Sequence, residues 1–311
     1  MIRTLSPFDL IRLAFSGMGK LPNQAKPHRK LTPARLSMLD VISPRPLLGL
    51  SPRRHTCVQT RGFKVKGLAL AQDLGSSAVW EVCSLALAPE MGHSVMDLLN
   101  GLILSAGRRG VDRLFLRIAD DSPCRDGARA AGFTFYLREC LYRRDKGAGA
   151  TAVSNPPDAE MQPVTPANEF SVFQLYNAIY PFHVREAEGQ TLEHWKQARG
   201  PDWEGRNSGQ FLVLDKGLVE GWVGAREQGK RGYFSAMLRP GASLSPDDVL
   251  NLVERRMAHL DTLFCIATEF ETQLVQTLEA RGYSLVEHYS RAVRNVTARI
   301  KRPSLVPIGA E

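Results

Sequence analysis

The chain has 311 residues, of which 43% are hydrophobic, and a formal net charge of +8. This length suggests about two domains, each large enough to bury a core. No run of about 18 apolar residues occurs, so a hydrophobic membrane-spanning helix is excluded. We therefore expect no membrane partner.

The five cysteines, at positions 57, 83, 124, 140 and 265, contain no CxxC pair. Reduced and mostly buried thiols are the simplest interpretation, and they indicate a cytoplasmic location. The seven histidines lack the spacing of metal ligands, so we expect no metal site.

The positive charge is concentrated in the first half. Residues 1–150 contain 23 Lys and Arg against 12 Asp and Glu, and the stretch from Lys20 to Lys66 contains eleven against Asp40 alone. A basic stretch attracts anions, and three interpretations stay open: a solvated surface segment, a site for a small anionic ligand, and a nucleic-acid contact through residues 20–66.

The first predicted elements are a strand from Ile2 to Leu5 and a helix that begins at Ser6 and Pro7. Residues 55–60 and 63–71 are then predicted strands joined at Gly62.

The sequence from Trp80 to Arg117 predicts a strand, a helix and a second strand. Residues 80–88 form an apolar run that favours a strand and ends at Pro89. From Ser94 onward, apolar residues recur at the spacing of one helix face, and Gly110 ends this helix. Such a βαβ unit has parallel strands, and anions bind where its first strand turns into its helix.

Residues 146–167 are rich in Gly, Ala and Pro and predict a linker. It separates an N-terminal domain, 1–145, from a C-terminal domain, 168–300, and residues 301–311 form a tail. The second half repeats the order of the first. The pairs that mark this repeat lie 149 to 151 positions apart: Leu87-Ala88-Pro89 with Leu238-Arg239-Pro240, Asp112 to Phe115 with Asp261 to Phe264, and Ala131-Gly132-Phe133 with Arg281-Gly282-Tyr283.

Each half resembles the GNAT N-acetyltransferase superfamily, through its L-A-L-x-P strand end, long helix, following strand and x-x-x-G-F motif. The resemblance implies an α+β fold with α/β-type layers. It consists of two tandem domains, each a mixed, mostly antiparallel sheet with flanking helices and a central parallel βαβ unit. In that family the two parallel strands splay apart and acyl-CoA lies in the gap.

The resemblance places acetyl-CoA in the N-terminal domain, between residues 84–88 and 114–118. The pantetheine arm would pair with Leu85, Ala86 and Leu87. The pyrophosphate would contact the turn whose residues are Met91, Gly92, His93, Ser94, Val95 and Met96. This turn departs from the family pattern R/Q-x-x-G-x-G/A, and the second half departs further.

Glu81 matches the strand position from which a glutamate of this family deprotonates the attacking amine, commonly through water. The alternative is a carboxylate at a strand end that faces solvent or pairs with an arginine. The position of the general-acid tyrosine of the family is occupied by Ala128 and Leu278.

The resemblance therefore implies an N-acyltransferase that moves an acetyl group from acetyl-CoA to an amine on a small molecule or a protein. The alternative is a GNAT-like binding or scaffold protein without turnover, because both turns and both tyrosine positions are degenerate.

Overall fold

The computed structural model describes residues 2–16, 21–27, 54–74, 78–88, 94–147, 159–199 and 207–296. These ranges contain twelve strands and eight helices. The strands are β1 (Ile2–Thr4), β2 (Arg54–Arg61), β3 (Lys64–Asp73), β4 (Val79–Leu87), β5 (Arg113–Ala119), β6 (Thr134–Asp145), β7 (Glu160–Pro163), β8 (Ser208–Asp215), β9 (Leu218–Gln228), β10 (Arg231–Leu238), β11 (Thr262–Thr268) and β12 (Ser284–Asn295). The helices are α1 (Pro7–Phe15), α2 (Val95–Gly107), α3 (Arg125–Ala130), α4 (Glu169–Ile179), α5 (Phe182–Glu188), α6 (Leu192–Arg199), α7 (Pro246–Arg256) and α8 (Thr272–Ala280).

All twelve strands belong to one mixed sheet with the order β1-β2-β3-β4-β5-β12-β6-β11-β10-β9-β8-β7. Two neighbouring pairs are parallel, β4 with β5 and β10 with β11, and the other pairs are antiparallel. The two parallel pairs are the predicted βαβ units, with α2 and α7 as crossover helices. The predicted fold class is therefore confirmed.

The two halves form the same hydrogen bonds at equivalent positions. The carbonyl of Ala78 accepts from the N–H of Asp112 at 2.8 Å, and the carbonyl of Lys230 accepts from the N–H of Asp261 at 2.9 Å. Each bond joins the start of one parallel strand to the start of the next. The internal repeat inferred from the sequence is thus present in the backbone.

The two halves also exchange their last strands. β12 pairs with β5 of the first half, and β6 pairs with β11 of the second half. The carbonyl of Asp112 accepts from Val296 at 2.7 Å, and that of Asp261 accepts from Lys146 at 2.8 Å. Because β6 and β12 pair with each other, the sheets of the two halves are continuous.

The predicted linker contains a structured edge. Residues 160–163 of the segment 146–167 form β7, which pairs antiparallel with β8. A short strand that ends in proline is tolerated at a sheet edge, where no further ladder is needed. The predicted tail, 301–311, lies outside the described residues, and the division into two domains stays a prediction.

The core lies on both faces of the sheet. On one face, α2 and α3 cover the first half, and α7 and α8 cover the second half. On the opposite face, α4, α5 and α6 pack over the middle of the sheet, and α1 packs through Leu13 over β2, β3 and β4. None of the described helices is long and apolar enough to cross a membrane.

Candidate functional site

The parallel strands of the first half separate after three residue pairs. Val79, Trp80 and Glu81 pair with residues 113–115, and β4 and β5 then continue without pairing with each other. The register of β3 and β4 shifts between Leu70–Ser84 and Ala71–Val82, which is a β-bulge. The predicted gap between residues 84–88 and 114–118 is therefore present.

The chain itself fills this gap with residues 23–26. The N–H of Gln24 donates to the carbonyl of Leu85 at 2.8 Å, and the N–H of Lys26 donates to the carbonyl of Arg117 at 2.8 Å. Ala25 is almost fully buried and forms an antiparallel bridge with Ile118. Residues 23–26 thus link β4 to β5 in the manner of an added strand.

The side chain of Asn23 completes the link. Its Oδ1 accepts from the N–H of Leu85 at 2.8 Å, and its Nδ2 donates to the carbonyl of Cys83 at 3.0 Å. Both main-chain groups of Leu85 are therefore occupied by residues of this chain, and the pairing of Leu85, Ala86 and Leu87 with a pantetheine arm stays a prediction. An asparagine amide can replace a ligand amide here because it offers the same donor and acceptor.

The predicted pyrophosphate turn is described in part. Met91, Gly92 and His93 lie outside the described residues. Ser94, Val95 and Met96 form the start of α2, and the hydroxyl of Ser94 accepts from Nε2 of Gln59 at 2.8 Å.

Helix α3 packs closely against this start. A Cβ added at Gly127 would lie 2.5 Å from Cβ of Val95 and 3.4 Å from the main-chain nitrogen of Met96. Val95 is buried. The start of α2 is thus in contact with Gly127 of α3.

Glu81 borders a small cavity together with Arg117 and Arg291. The cavity has a volume of about 10 Å³, which holds one water molecule at most. The alternative for Glu81, a carboxylate at a strand end that faces solvent or pairs with an arginine, stays open beside these two arginines. Its predicted role as a base stays a prediction.

A buried charged network extends from this cavity. Arg117 lies 2.7 Å from Oε2 of Glu139, and Arg291 lies 2.7 Å from Oε1 of Glu188. The hydroxyl of Tyr136 also donates to Glu188, at 3.2 Å, and burial raises the pKa of Tyr136 well above its usual value. Since the two carboxylates and the two arginines balance in charge, the network is neutral overall.

The equivalent positions of the second half are apolar or aromatic. The register places Tyr233 opposite Phe264, as Glu81 lies opposite Phe115. By the same correspondence, Ile266 and Leu141 replace Arg117 and Arg291. The residues that form this second cluster are Leu141, Tyr233, Phe264, Ile266 and Tyr289.

The parallel strands of the second half also separate. β10 and β11 pair from Arg231–Thr262 to Phe234–Cys265, and beyond this point they diverge. A cleft of about 690 Å³ opens here. Its lining comes from the end of β10, the loop 239–245, the start of α7, residues 270–274 at the start of α8, and residues 179 and 181.

The exposed edge of β10 provides main-chain groups to this cleft. The carbonyl of Lys230 accepts from the N–H of Asp261, on the side of β11. The N–H of Arg239 donates to the carbonyl of Glu220 in β9, on the other side, at 2.8 Å. Main-chain groups alternate in direction along a strand, and the register of β9 and β10 is unbroken to Leu238. The N–H and C=O groups of Ala236 and Leu238 therefore point into the cleft.

The walls of the cleft are mainly apolar. Ala236, Leu244, Val249 and Leu274 are buried residues that line it, and Phe270 lies at its edge. A groove with this lining and an open strand edge is suited to a long ligand with few charges.

The loop beside the cleft is poorly suited to a diphosphate. The N–H of Ser243 donates to Oε2 of Glu220 at 2.9 Å, and the hydroxyl of Ser243 donates to Asp215 at 2.7 Å. Two carboxylates thus already occupy the donors of this residue, and they repel a second anion.

The start of α7 is satisfied in the same way. Ser245 and Asp248 form a capping box, with the N–H of Ser245 donating to Asp248 at 2.9 Å. Pro246 has no N–H, and Asp247 adds another acidic group in the first turn. Arg239 is the positively charged residue in the lining. The helix start therefore offers little to an anionic ligand, in contrast to the usual helix N-terminus.

The sequence did not predict the C-terminal cleft or the filling of the N-terminal gap.

No described group of three or more His, Cys, Asp or Glu residues could hold a metal ion. The five cysteines are free thiols, and those at 57, 124 and 265 are buried.

Comparison with solved structures identifies the class of fold. The chain is similar to a GCN5-related N-acetyltransferase from Sphaerobacter thermophilus, with 13% identity, 96% of each chain covered and a TM-score of 0.54. It is also similar to a tandem GNAT protein from the clavulanic acid biosynthesis pathway, with 12% identity, coverage of 96% of this chain and 98% of that chain, and a TM-score of 0.51. No family model and no curated protein matches the sequence. The chain has the tandem GNAT fold, and at these identities the likeness extends to the fold alone.

Proposed function

We propose that this protein is an acyl-CoA-dependent N-acyltransferase, and that the pantetheine arm of acyl-CoA, which carries the thioester, binds in the C-terminal cleft. The observation that carries the proposal is the separation of β10 and β11 after Phe234, which leaves an open cleft of about 690 Å³ beside a strand edge without a partner strand there. The equivalent gap of the first half is filled by residues 23–26. We therefore place the cofactor in the second half.

The pantetheine arm would be held by main-chain groups. Its amides would pair with Ala236 and Leu238, whose N–H and C=O groups face the cleft, and its apolar parts would contact Leu244 and Leu274. The acyl group would then lie near Phe234, where β10 and β11 meet. Bound acyl-CoA would supply the activated acyl group, and the amine acceptor is a small molecule or a protein.

The nucleotide would contribute little to binding. Glu220 and Asp248 already accept from the main-chain N–H groups of Ser243 and Ser245, and Arg239 is the positively charged residue among the described residues of the lining. We thus expect a pantetheine thioester to bind almost as tightly as acetyl-CoA. We also expect binding to depend weakly on salt, because few ion pairs would form.

A specific observation favours a second candidate, a binding or scaffold protein without turnover. Tyr233, fully buried, occupies the position equivalent to Glu81, so the strand position from which a glutamate of the family accepts the proton of the amine holds no carboxylate in the half with the open cleft. Leu278, also fully buried, occupies the position of the family's acid.

Thiol release separates the two candidates. Purified protein would be incubated with acetyl-CoA, and separately with S-acetylpantetheine, in the presence of a panel of amines and basic peptides. Acceptor-dependent release of free thiol that Ala242→Trp, at the wall of the cleft, abolishes supports acyl transfer. Saturable binding of either thioester without acceptor-dependent thiol release supports the scaffold. Absence of binding to both thioesters contradicts the proposal.

The cytoplasmic location stays a prediction from the cysteines.

A further inference from the structure

The outer side of α1 is unusually apolar and faces solvent. Phe8, Ile11 and Phe15 are 78%, 63% and 86% exposed, and Phe63 at the β2–β3 turn is 84% exposed. We call these four residues the aromatic patch. They account for four of the ten large hydrophobic side chains that are exposed among the described residues.

The patch is one continuous surface. Phe8, Ile11 and Phe15 follow the spacing of one helix side, and the guanidinium of Arg12 lies 5.3 Å from the ring centre of Phe63. The helix therefore lies beside the turn. Its inner side is already occupied, because Leu13 is buried in the cluster over β2, β3 and β4. A helix that is apolar on its outer side as well needs a second partner.

Positive charge surrounds the patch. Arg12 is partly exposed, and Arg61 and Lys64 are exposed on either side of Phe63. Asp9, the acidic residue of α1, is fully buried, bonds to Arg3 and Ser6, and lies 3.9 Å from the guanidinium of Arg12, so it offsets part of the charge of Arg12 and none of that of Arg61 and Lys64. The sequence from 20 to 66, which includes this turn, carries eleven basic residues and one acidic residue.

We propose that the aromatic patch docks on the surface of an anionic lipid bilayer. The phenylalanine rings would insert at the boundary between headgroups and acyl chains, and Arg12, Arg61 and Lys64 would contact the lipid phosphates. This is surface binding and needs no spanning helix, so it departs from the expectation of no membrane partner, which was drawn from the lack of a spanning helix alone. It also goes beyond the proposed acyl transfer, which takes place in the other half.

The charge selects the bilayer over other partners of the patch. A second copy would bring the same basic residues face to face, and the segment 28–53 of this chain is itself basic. An anionic bilayer is complementary to both features at once, to the apolar rings and to the cations.

Co-sedimentation of the full chain with vesicles tests the proposal. Vesicles of phosphatidylcholine with phosphatidylglycerol should bind the protein, and those of phosphatidylcholine alone should bind it several-fold less. The triple variant Phe8→Ser, Phe15→Ser, Phe63→Ser should lower the partition by at least about tenfold. The matched control is Phe182→Ser, since Phe182 is also exposed and lies beside an arginine, Arg185, in the second half. It should leave the partition unchanged.

Circular dichroism would check that the variants are folded. We expect them to be folded, because substitutions of exposed side chains usually change stability little. Equal binding of the wild-type chain and the folded triple variant overturns the proposal. So does a concentration-dependent dimer that the triple variant abolishes while neither protein binds vesicles. Preferential binding of single-stranded RNA that loses affinity in the triple variant, again without vesicle binding, overturns it as well.

Discussion

Glu81 and Tyr233 occupy equivalent positions in the two halves of the sheet, and each lies opposite a phenylalanine of the next parallel strand. Glu81 borders a cavity with two arginines, whereas Tyr233 packs in an apolar and aromatic cluster with the guanidinium of Arg226 over its ring. The half that has a carboxylate at this position has its gap filled by residues 23–26, and the half with the open cleft has none. The two halves have thus diverged in both features of the site.

Removing the hydroxyl of Tyr233 should stabilise the protein. The group is buried in an apolar cluster and has no hydrogen-bond partner among the described residues. We expect Tyr233→Phe to raise the free energy of unfolding by about 1 kcal/mol, because an unpaired buried hydroxyl is costly. Urea denaturation measures this change. As the control, Tyr136→Phe should lower stability, since that hydroxyl donates to Glu188. Destabilisation by both substitutions would argue against an unpaired Tyr233.

Asn23 should be essential to the filled gap of the first half. Asn23→Ala removes the hydrogen bonds to Leu85 and Cys83, as well as one from the N–H of Ala25. We expect the free energy of unfolding to fall by roughly 2 kcal/mol, because buried main-chain groups lose their partners. Gln24→Ala removes only a side-chain contact with Ser122 and should cost less. Equal effects of the two substitutions in denaturant titrations would contradict this role.

Glu188 should contribute more to stability than an exposed ion pair. Glu188→Gln removes the charge that faces Arg291 in a buried network, and we expect a loss of roughly 3 kcal/mol. Glu169→Gln breaks a surface pair with Lys196 and should change stability by about 0.5 kcal/mol or less. Thermal unfolding of both variants measures the contrast. A Glu188 variant as stable as the Glu169 variant would show that the network is dispensable.

His55 should make stability depend on pH. Its ring stacks on Trp80 with 3.9 Å between ring centres, and burial, with a smaller contribution from Arg109, lowers its pKa to about 4. The unfolded chain takes up this proton near pH 6.5, whereas the folded chain resists it until about pH 4. The contribution of neutral His55 to stability is therefore complete above about pH 6.5, and it is lost as the pH falls from about 6.5 to about 4.

We expect this loss to be on the order of 2 kcal/mol. Urea titrations of the wild-type chain and of His55→Gln between pH 7 and pH 4 measure it. The variant should show a flatter dependence on pH. Parallel curves for the two proteins would mean that another group controls stability in this range.

Much of the fold follows from the sequence because its signals are local. The apolar run 80–88, the helix spacing after Ser94 and the stop at Gly110 predict the first βαβ unit, and the structure confirms it. The paired markers at a nearly constant offset predict the repeat, which the matching hydrogen bonds of Ala78 and Lys230 confirm.

The exchange of β6 and β12 could not be predicted in this way. The alternation of side chains along a strand shows which face is buried, but it does not show which neighbouring strand completes the ladder. Glu139 and Tyr289, 150 positions apart and opposite each other in the structure, become neighbours only through this exchange.

The sequence also did not show that the gap of the first half is filled and that of the second half is open. Residues 21–27 show no periodicity, and their place between β4 and β5 depends on one asparagine side chain and a few main-chain bonds. The choice of the first half for the cofactor relied on its βα turn. The open cleft of the second half depends on two strands that diverge and on how the neighbouring loop is packed, which no local motif encodes.

Calorimetric titration of acetyl-CoA and S-acetylpantetheine into three proteins shows whether the thioester binds in the C-terminal cleft. The proteins are the wild-type chain, Ala242→Trp at the wall of the C-terminal cleft, and Asn23→Ala at the filled gap. We predict one-to-one binding of both thioesters to the wild-type chain, loss of binding in Ala242→Trp and unchanged affinity in folded Asn23→Ala. Unchanged binding in Ala242→Trp together with tighter binding in Asn23→Ala would contradict this prediction, because the thioester would then bind in the first half.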